Sequence, residues 1–180
     1  MRRVVFAAIA VLAPATAALA APPRALYGKH VVVTWTETRS QRDAGEAAFR
    51  PVSIPYTLTF YVGNEGHVFK RIFAMAASRK ASGSQDWVGN KPGGDVSAAS
   101  VTFSGNSLTA TSSFGGAARR MQITFDGNFS GCSAQVTTAK LSSAKSVAVR
   151  SIATGGTVEF ESVSAGAATC SVGEGNPFAN

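Results

Sequence analysis

The sequence is poor in the side chains on which most catalytic and metal sites depend. In 180 residues histidine occurs twice, at His30 and His67, and cysteine twice, at Cys132 and Cys170. Neither histidine belongs to a zinc-ligand motif, and no G-x-S-x-G or C-x-x-C string is present. We therefore expect a protein that is not an enzyme and that uses no metal and no cofactor.

Long apolar runs are also missing after residue 20, so no later segment could cross a membrane as a helix. The first 20 residues have the order of a secretory signal peptide. Arg2 and Arg3 precede an apolar run from 4 to 13, and a small-residue cleavage site, 18–20, follows. A membrane anchor would need about 20 apolar residues. The pattern predicts a signal peptide over 1–20 and a periplasmic or secreted location.

Acidic residues are fewer than basic ones. Loss of Arg2 and Arg3 with the signal peptide lowers the basic count from 17 to 15 against 10 acids, which leaves a net charge of +5. The cations are scattered rather than clustered, which is untypical of nucleic-acid binding. The charge favours weak attraction to anionic polymers or membrane surfaces. Residues 21–180 have the length of one domain.

The two cysteines predict one disulfide, Cys132–Cys170, because exported proteins mature in oxidising compartments. In their predicted strands Cys132 has the same parity as Val136, and Cys170 the same parity as Val172. Both thiols should therefore face the apolar side. Closing this loop would stabilise the fold by about 4 kcal/mol in the chain-entropy model.

Apolar and polar residues alternate with a period of two through most of the chain, which is typical of half-buried antiparallel strands. Gly and Asn turns separate the runs, and the turn that begins at Asp126 also contains an N-glycosylation sequon, 128–130. Ten strands are predicted, near 29–38, 53–62, 67–76, 99–104, 107–113, 119–126, 132–139, 146–153, 157–164 and 168–173.

Strands joined by short turns predict an all-β antiparallel meander that closes as a barrel-like fold. The alternative is a sandwich of two packed β-sheets. Three segments do not fit the strand pattern, and the first is the lead-in "AAPPRALYG" at 20–28. Ala44 to Phe49 could form a turn of helix because Ala and Glu favour one, and residues 78–94 have no periodicity.

The segment 78–94 is the best candidate for a contact site, because structureless connections of more than about 12 residues are uncommon in compact domains and are often functional. Arg79, Lys80 and Lys91 supply positive charge, and Trp87 supplies a flat apolar ring that could bind a ligand or partner. The alternative is that Trp87 packs onto its own domain.

Carboxylates that could act in pairs, as in glycoside hydrolases, are few. Glu159 and Glu161 lie on the polar side of their predicted strand. Glu37 has the parity of Val33 and Trp35, so it should sit at the buried side and pair with Arg39 or Arg50. A solvated sheet face is the better interpretation for Glu159 and Glu161, and a structural ion pair is the better one for Glu37.

The segments "VVVTWTETRSQR", "PVSIPYTLTFYV" and "GNFSGCSAQV" resemble a group of small exported proteins of alphaproteobacteria, of the rhizobial type, with no assigned activity. The resemblance implies export from a Gram-negative cell and assigns no catalytic residues.

The main hypothesis is a non-enzymatic exported β-domain that binds a small apolar ligand, an anionic envelope polymer or a protein through its loops or a cavity. A cavity lined by the faces of Ile54, Phe60, Met121 and Phe160 would favour a small ligand. One alternative is a carbohydrate-active hydrolase that uses carboxylates. Another is a structural envelope protein that assembles through its sheet edges.

Overall fold

The computed structural model describes residues 21–66, 68–77, 82–88, 101–114, 117–149 and 156–179. The predicted signal peptide lies outside this part of the chain, as do His67, Arg79, Lys80 and Lys91. A short 3-10 turn, Arg24–Leu26, precedes the strands. The strands are β1 (Lys29–Asp43), β2 (Arg50–Val62), β3 (Val68–Ala77), β4 (Ser82–Val88), β5 (Val101–Ser104), β6 (Ser107–Phe114), β7 (Ala117–Phe125), β8 (Cys132–Thr138), β9 (Lys145–Val149) and β10 (Gly156–Glu174).

The strands form two antiparallel sheets. One has six strands in the order β4-β3-β2-β1-β10-β9, and the other has four in the order β5-β6-β7-β8. The all-β antiparallel prediction is therefore confirmed. The barrel is not: among the described strands no pairing closes the sheets into a ring, and the sandwich-like alternative fits better. The alternation of apolar and polar residues predicts strands but not which strands lie at the edge of a sheet. It therefore could not show whether the strands close into a barrel.

The centre of the larger sheet is the pair formed by the first and last strands. The 15 residues of β1 pair along most of their length with the 19 residues of β10. The pairing register shifts between Trp35 and Glu37 and again between Ser40 and Gln41. The first shift lies opposite 165–168, where the sequence predicted a gap between two strands. At these two register shifts the regular alternation of side chains between the two faces of the sheet is interrupted, but β10 continues as one strand.

Two other predictions about local structure are wrong. Residues 82–88 form β4, inside the segment that the sequence predicted to be an irregular loop, and β4 pairs with β3. No helix forms between Arg39 and Arg50: β1 continues to Asp43, and β2 begins at Arg50. Pairing with β3 determines β4, whereas 44–49 form the connection between β1 and β2, whose pairing reaches Gln41 opposite Arg50.

The core lies between the inward faces of the two sheets. In β7 every second residue from Ala117 to Phe125 is buried, and the residues between them are exposed. Leu26, in the 3-10 turn, is fully buried and joins the same apolar cluster. The larger side chains of that cluster are Trp35, Ile54, Tyr56, Leu58, Phe60, Phe103, Leu108, Met121, Ile123 and Phe125.

The disulfide between Cys132 and Cys170 joins β8 of the smaller sheet to β10 of the larger one, and its two Cα atoms lie 5.5 Å apart. Both cysteines pack against the apolar cluster, as their parity predicted. Further along the same strands, the hydroxyl of Thr138 donates a hydrogen bond to the carbonyl oxygen of Val163 at 3.0 Å. The two sheets are thus tied together along β8 and β10.

Candidate functional site

The inward face of β1 changes from apolar to charged halfway along the strand. Val31, Val33 and Trp35 are buried apolar residues. The next inward positions are polar and equally buried, each at most 3 % exposed: Glu37, Arg39, Gln41 and Asp43. A run of buried polar residues is unusual because each must be paired to offset its lost hydration.

Glu37 is held mainly by Arg119, an inward-facing residue of β7. The Nε of Arg119 donates to Oε1 of Glu37, and Nη2 donates to Oε2 at 2.7 Å. This two-point geometry is the strongest that an arginine and a carboxylate form. The indole Nε1 of Trp35 donates a third hydrogen bond to Oε1 at 3.1 Å. Glu37 is 0 % exposed and therefore cannot meet a substrate.

Arg39 and Tyr56 complete the cluster. The Nη2 of Arg39 lies 3.4 Å from Oε2 of Glu37 and donates to the Tyr56 hydroxyl at 2.8 Å. The guanidinium of Arg39 stacks 4.6 Å from the centre of the Phe160 ring, and that of Arg119 lies 4.9 Å from the centre of the Tyr56 ring. The buried cations are thus enclosed by aromatic faces that attract them.

The cluster changes the pKa values of its acidic members. Burial alone would raise the pKa of the Glu37 carboxyl, but the hydrogen bonds and charge of Arg119 outweigh it and hold that pKa below its usual value. Trp35 and Arg39 act in the same direction. Burial raises the pKa of the Tyr56 hydroxyl. At neutral pH Glu37 is therefore ionised and Tyr56 is neutral.

The other carboxylates considered for hydrolysis are also engaged in structural contacts. Glu159 accepts two hydrogen bonds from Arg42, at 2.9 and 2.8 Å. Glu161 accepts one from the Ser40 hydroxyl at 3.0 Å. These contacts bind β1 to β10. Nothing in the described residues points to catalysis.

The prediction that Glu37 is buried and paired is confirmed, and Arg39 is one of its partners. Arg50 is not a partner, since its Nη2 lies 3.9 Å from the carboxylate of Asp43. Sequence reasoning missed Arg119. The signal was available, because Arg119 has the same parity in its strand as the buried Met121 and Ile123.

A second candidate site lies on the opposite surface of the smaller sheet. Its outward residues alternate with the buried ones and form cross-strand rows of hydroxyl and amide groups. We call this surface the polar face. It consists of Thr102, Ser104, Ser107, Thr109, Thr111, Arg120, Gln122, Thr124, Ser133, Gln135 and Thr137. One arginine and no carboxylate occur among these residues.

A shallow groove of about 280 Å³ opens at the end of the polar face. Its lining is Thr111, Ala118, Arg119, Arg120, Thr137, Thr138 and Ala139. Arg119 turns its charge inward to Glu37, so Arg120 is the cation that faces the groove. Arg120 pairs across the sheet with Thr111 on one side and Thr137 on the other. Arg120 thus lies in a cross-strand row between two threonines, and the hydroxyl of Thr137 donates a hydrogen bond to the backbone carbonyl oxygen of Arg120 at 3.3 Å.

The interior faces that could have lined a ligand cavity are packed. Ile54, Phe60, Met121 and Phe160 are each at most 3 % exposed, and the first three belong to the continuous apolar cluster.

The structure places one of the four predicted contact residues. Trp87 lies in β4, paired with Ile72 of β3. Arg79, Lys80 and Lys91 lie outside the described residues, so the proposed contact segment stays a prediction.

Ser142 and Lys145 form an S-x-x-K string, the spacing of one family of serine enzymes. On a helix that spacing would bring the two side chains to one face. Here Ser142 lies in a bend, Lys145 begins β9, and both are exposed. The string therefore has no catalytic geometry.

In the described residues no group of three or more His, Cys, Asp and Glu residues is placed to hold a metal ion. The same part of the chain contains no helix of the length and apolarity that crossing a membrane requires. Comparison with known proteins gives no match to a family model, a curated protein or a solved structure.

Proposed function

We propose that this protein is an exported binding protein that holds an anionic polysaccharide of the cell envelope on the polar face. The single observation that supports this most strongly is the groove in which Arg120 lies in a cross-strand row between Thr111 and Thr137, with no acid among the described residues that line it. Sugar acids carry carboxylate groups, which a guanidinium binds with two hydrogen bonds.

The rest of the polar face suits the neutral part of such a polymer. Gln122 and Gln135 are directly paired across β7 and β8, and both are exposed. Their amides, and the hydroxyls of neighbouring threonines and serines, can both donate and accept hydrogen bonds to sugar hydroxyls. The absence of carboxylates from this described face removes a source of repulsion, and the positive net charge favours approach of a polyanion.

Export is part of the proposal. It rests on the predicted signal peptide, on the resemblance to small exported alphaproteobacterial proteins, and on the disulfide, which is compatible with an oxidising compartment. A polysaccharide of the envelope or its surroundings is an available ligand there. A hydrolase is less well supported, because Glu37, Glu159 and Glu161 are all engaged in structural contacts.

The test is a titration of the purified protein with oligogalacturonate, a polymer of a sugar acid, followed by NMR chemical shifts. A neutral dextran oligosaccharide serves as the ligand control. We expect saturable shifts in β6, β7 and β8 with oligogalacturonate only, and weaker binding at higher salt.

The matched variants are Arg120→Ala and Arg24→Ala, which remove one positive charge from exposed positions in different parts of the fold. Arg120→Ala should weaken binding about tenfold or more, because hydrogen bonds to charged groups contribute roughly 1.5–3 kcal/mol. Arg24→Ala should change it less than about twofold. Absence of binding, or equal effects of the two variants, would refute the proposal.

A further inference from the structure

The polar face is organised in rows that run across its strands. The pairing register puts one residue from each of β5, β6, β7 and β8 side by side, namely Thr102, Thr109, Gln122 and Gln135. We call this set the middle row. On one side of it lies a row of hydroxyl groups, formed by Ser104, Ser107, Thr124 and Ser133, and on the other lies the row of Arg120. A ligand laid across the strands therefore meets one side chain of the middle row on each strand.

The middle row differs in its bonding from the outward face of the larger sheet. There the hydroxyls of Thr34 and Thr169 lie 2.6 Å apart, and the Ser40 hydroxyl donates to Glu161 at 3.0 Å. Within the part of the chain that the structure describes, none of the four side chains of the middle row is bonded in this way. Their hydroxyl and amide groups therefore keep their hydrogen-bonding capacity for water or a ligand.

The spacing of the middle row suits an extended sugar chain that crosses the strands. Neighbouring strands lie about 4.8 Å apart, which is close to the length of about 5 Å that one pyranose ring and its linking oxygen add to an extended chain. Successive outward residues along one strand lie about 6.7 Å apart, which does not match that length. A chain that crosses the sheet can thus place successive sugars over successive strands.

The charge of the polar face is confined to one position. Among the described residues of this face Arg120 is the one charged side chain, and it lies on β7, two residues from Gln122 of the middle row. A sugar acid over β7 can therefore pair with Arg120. Carboxylates over β5, β6 or β8 would lie among hydroxyls and amides and would lose hydration without a counter-charge. The face matches one acid among neutral sugars better than an acid on every sugar.

We propose, on the basis of the function given above, that the polar face binds a heteropolysaccharide across its strands, with one acidic sugar over β7 and neutral sugars over β5, β6 and β8. Arg120 binds the carboxylate, and the middle row supplies hydrogen bonds to the neutral sugars. A polymer with an acid on every sugar leaves its other carboxylates without a partner and binds more weakly.

The experiment is an NMR titration of the ¹⁵N-labelled protein with three tetrasaccharides. The repeat of deacylated gellan is linear and carries one glucuronate among neutral sugars, tetragalacturonate carries an acid on every sugar, and maltotetraose is neutral. We expect the gellan repeat to bind at least about fivefold more tightly than tetragalacturonate, and maltotetraose to bind most weakly. Equal or tighter binding of tetragalacturonate would overturn this inference and leave the proposed function standing. Absence of binding by both acidic ligands would refute both.

Thr102→Ala tests the direction of the bound chain. Thr102 lies on β5, two strands away from Arg120, so a ligand that followed β7 would not reach it. The change should weaken binding of the gellan repeat about threefold or more, because a hydrogen bond between neutral groups is lost. It should leave unchanged the binding of cellobiouronate, a disaccharide of glucuronate and glucose that spans only two strands.

The matched control is Thr36→Ala, which removes an exposed threonine from β1 of the larger sheet and should change the binding of neither ligand. Unchanged affinity of Thr102→Ala for the gellan repeat would overturn the crossing direction. Equal losses for the tetrasaccharide and the disaccharide would show a general effect on the sheet and would overturn it as well.

Discussion

Arg119 of the smaller sheet and Glu37 of the larger sheet form a two-point ion pair across the interior of the protein. The disulfide from Cys132 to Cys170 joins the same two sheets. The ion pair and the disulfide lie at the two ends of the β7–β8 pair. Arg119 is paired with Thr138 at one end, and Phe125 is paired with Cys132 at the other. Between them the sheets are joined by apolar packing.

Glu37→Gln should strongly destabilise the protein. The change removes the buried carboxylate charge that faces Arg119 and Arg39, and breaking a buried ion pair by removing one partner typically costs 3–5 kcal/mol, so we expect a loss of about that size. Urea unfolding measures it. The exposed control Glu161→Gln should change the free energy of unfolding by less than about 0.5 kcal/mol. A loss below about 1 kcal/mol for Glu37→Gln would contradict the assigned role.

The stability that Glu37 provides should depend on pH in the acidic range. Its pKa in the folded protein lies below the ordinary 4.5, so the unfolded chain binds more protons as the pH falls. The contribution is therefore complete above about pH 4.5 and is lost as the pH drops through the lowered pKa. The difference in unfolding free energy between wild type and Glu37→Gln should be constant above about pH 4.5 and should shrink as the pH falls below that value. A constant difference would mean that Glu37 does not titrate as proposed.

Removal of the disulfide should lower the free energy of unfolding by about 4 kcal/mol in the chain-entropy model, given the separation of 38 residues between its cysteines. Cys170→Ser compared with wild type by urea unfolding measures the effect. Mass spectrometry with and without reductant should detect a Cys132–Cys170 cross-link. Two free thiols in the purified protein would disprove the bond.

Trp87→Ala distinguishes a core residue from a contact residue. Trp87 pairs with Ile72, and Ile72 pairs with Leu58, which is fully buried. If Trp87 packs onto its own domain, as one of the two interpretations of the sequence holds, its truncation should cost about 3 kcal/mol or more, the range for a buried Trp. A loss below about 1 kcal/mol for Trp87→Ala would instead favour a solvated contact site.

Much of the fold could be predicted from alternation and turn residues, because both are local signals. The strand at Ile54 to Val62 and the strict alternation around Met121 follow directly from side-chain order. The choice between barrel and sandwich could not be predicted, because it depends on pairing between strands distant in sequence. β4 was missed because its residues have no clear alternation and its pairing with β3 determines its structure.

The site was predictable only in part. The parity of Glu37 places it among buried residues, and burial requires a partner. Sequence cannot say that the partner is Arg119, 82 residues away, because that contact depends on how the two sheets stack. The polar face was also not recognised, since outward threonines and glutamines on one strand are ordinary. These polar residues form rows around Arg120 only because of the pairing register of β5, β6, β7 and β8, which the sequence does not specify.

The pairing of β1 with β10 has a consequence for how the protein is made. Synthesis delivers the amino-terminal strand β1 first, so one edge of β1 stays unpaired until β10 has been synthesised. The middle of the larger sheet and the disulfide to Cys170 can form only after that point. Chains released early by premature termination would lack their central strand, and should be cleared by proteases rather than accumulate as smaller folded forms.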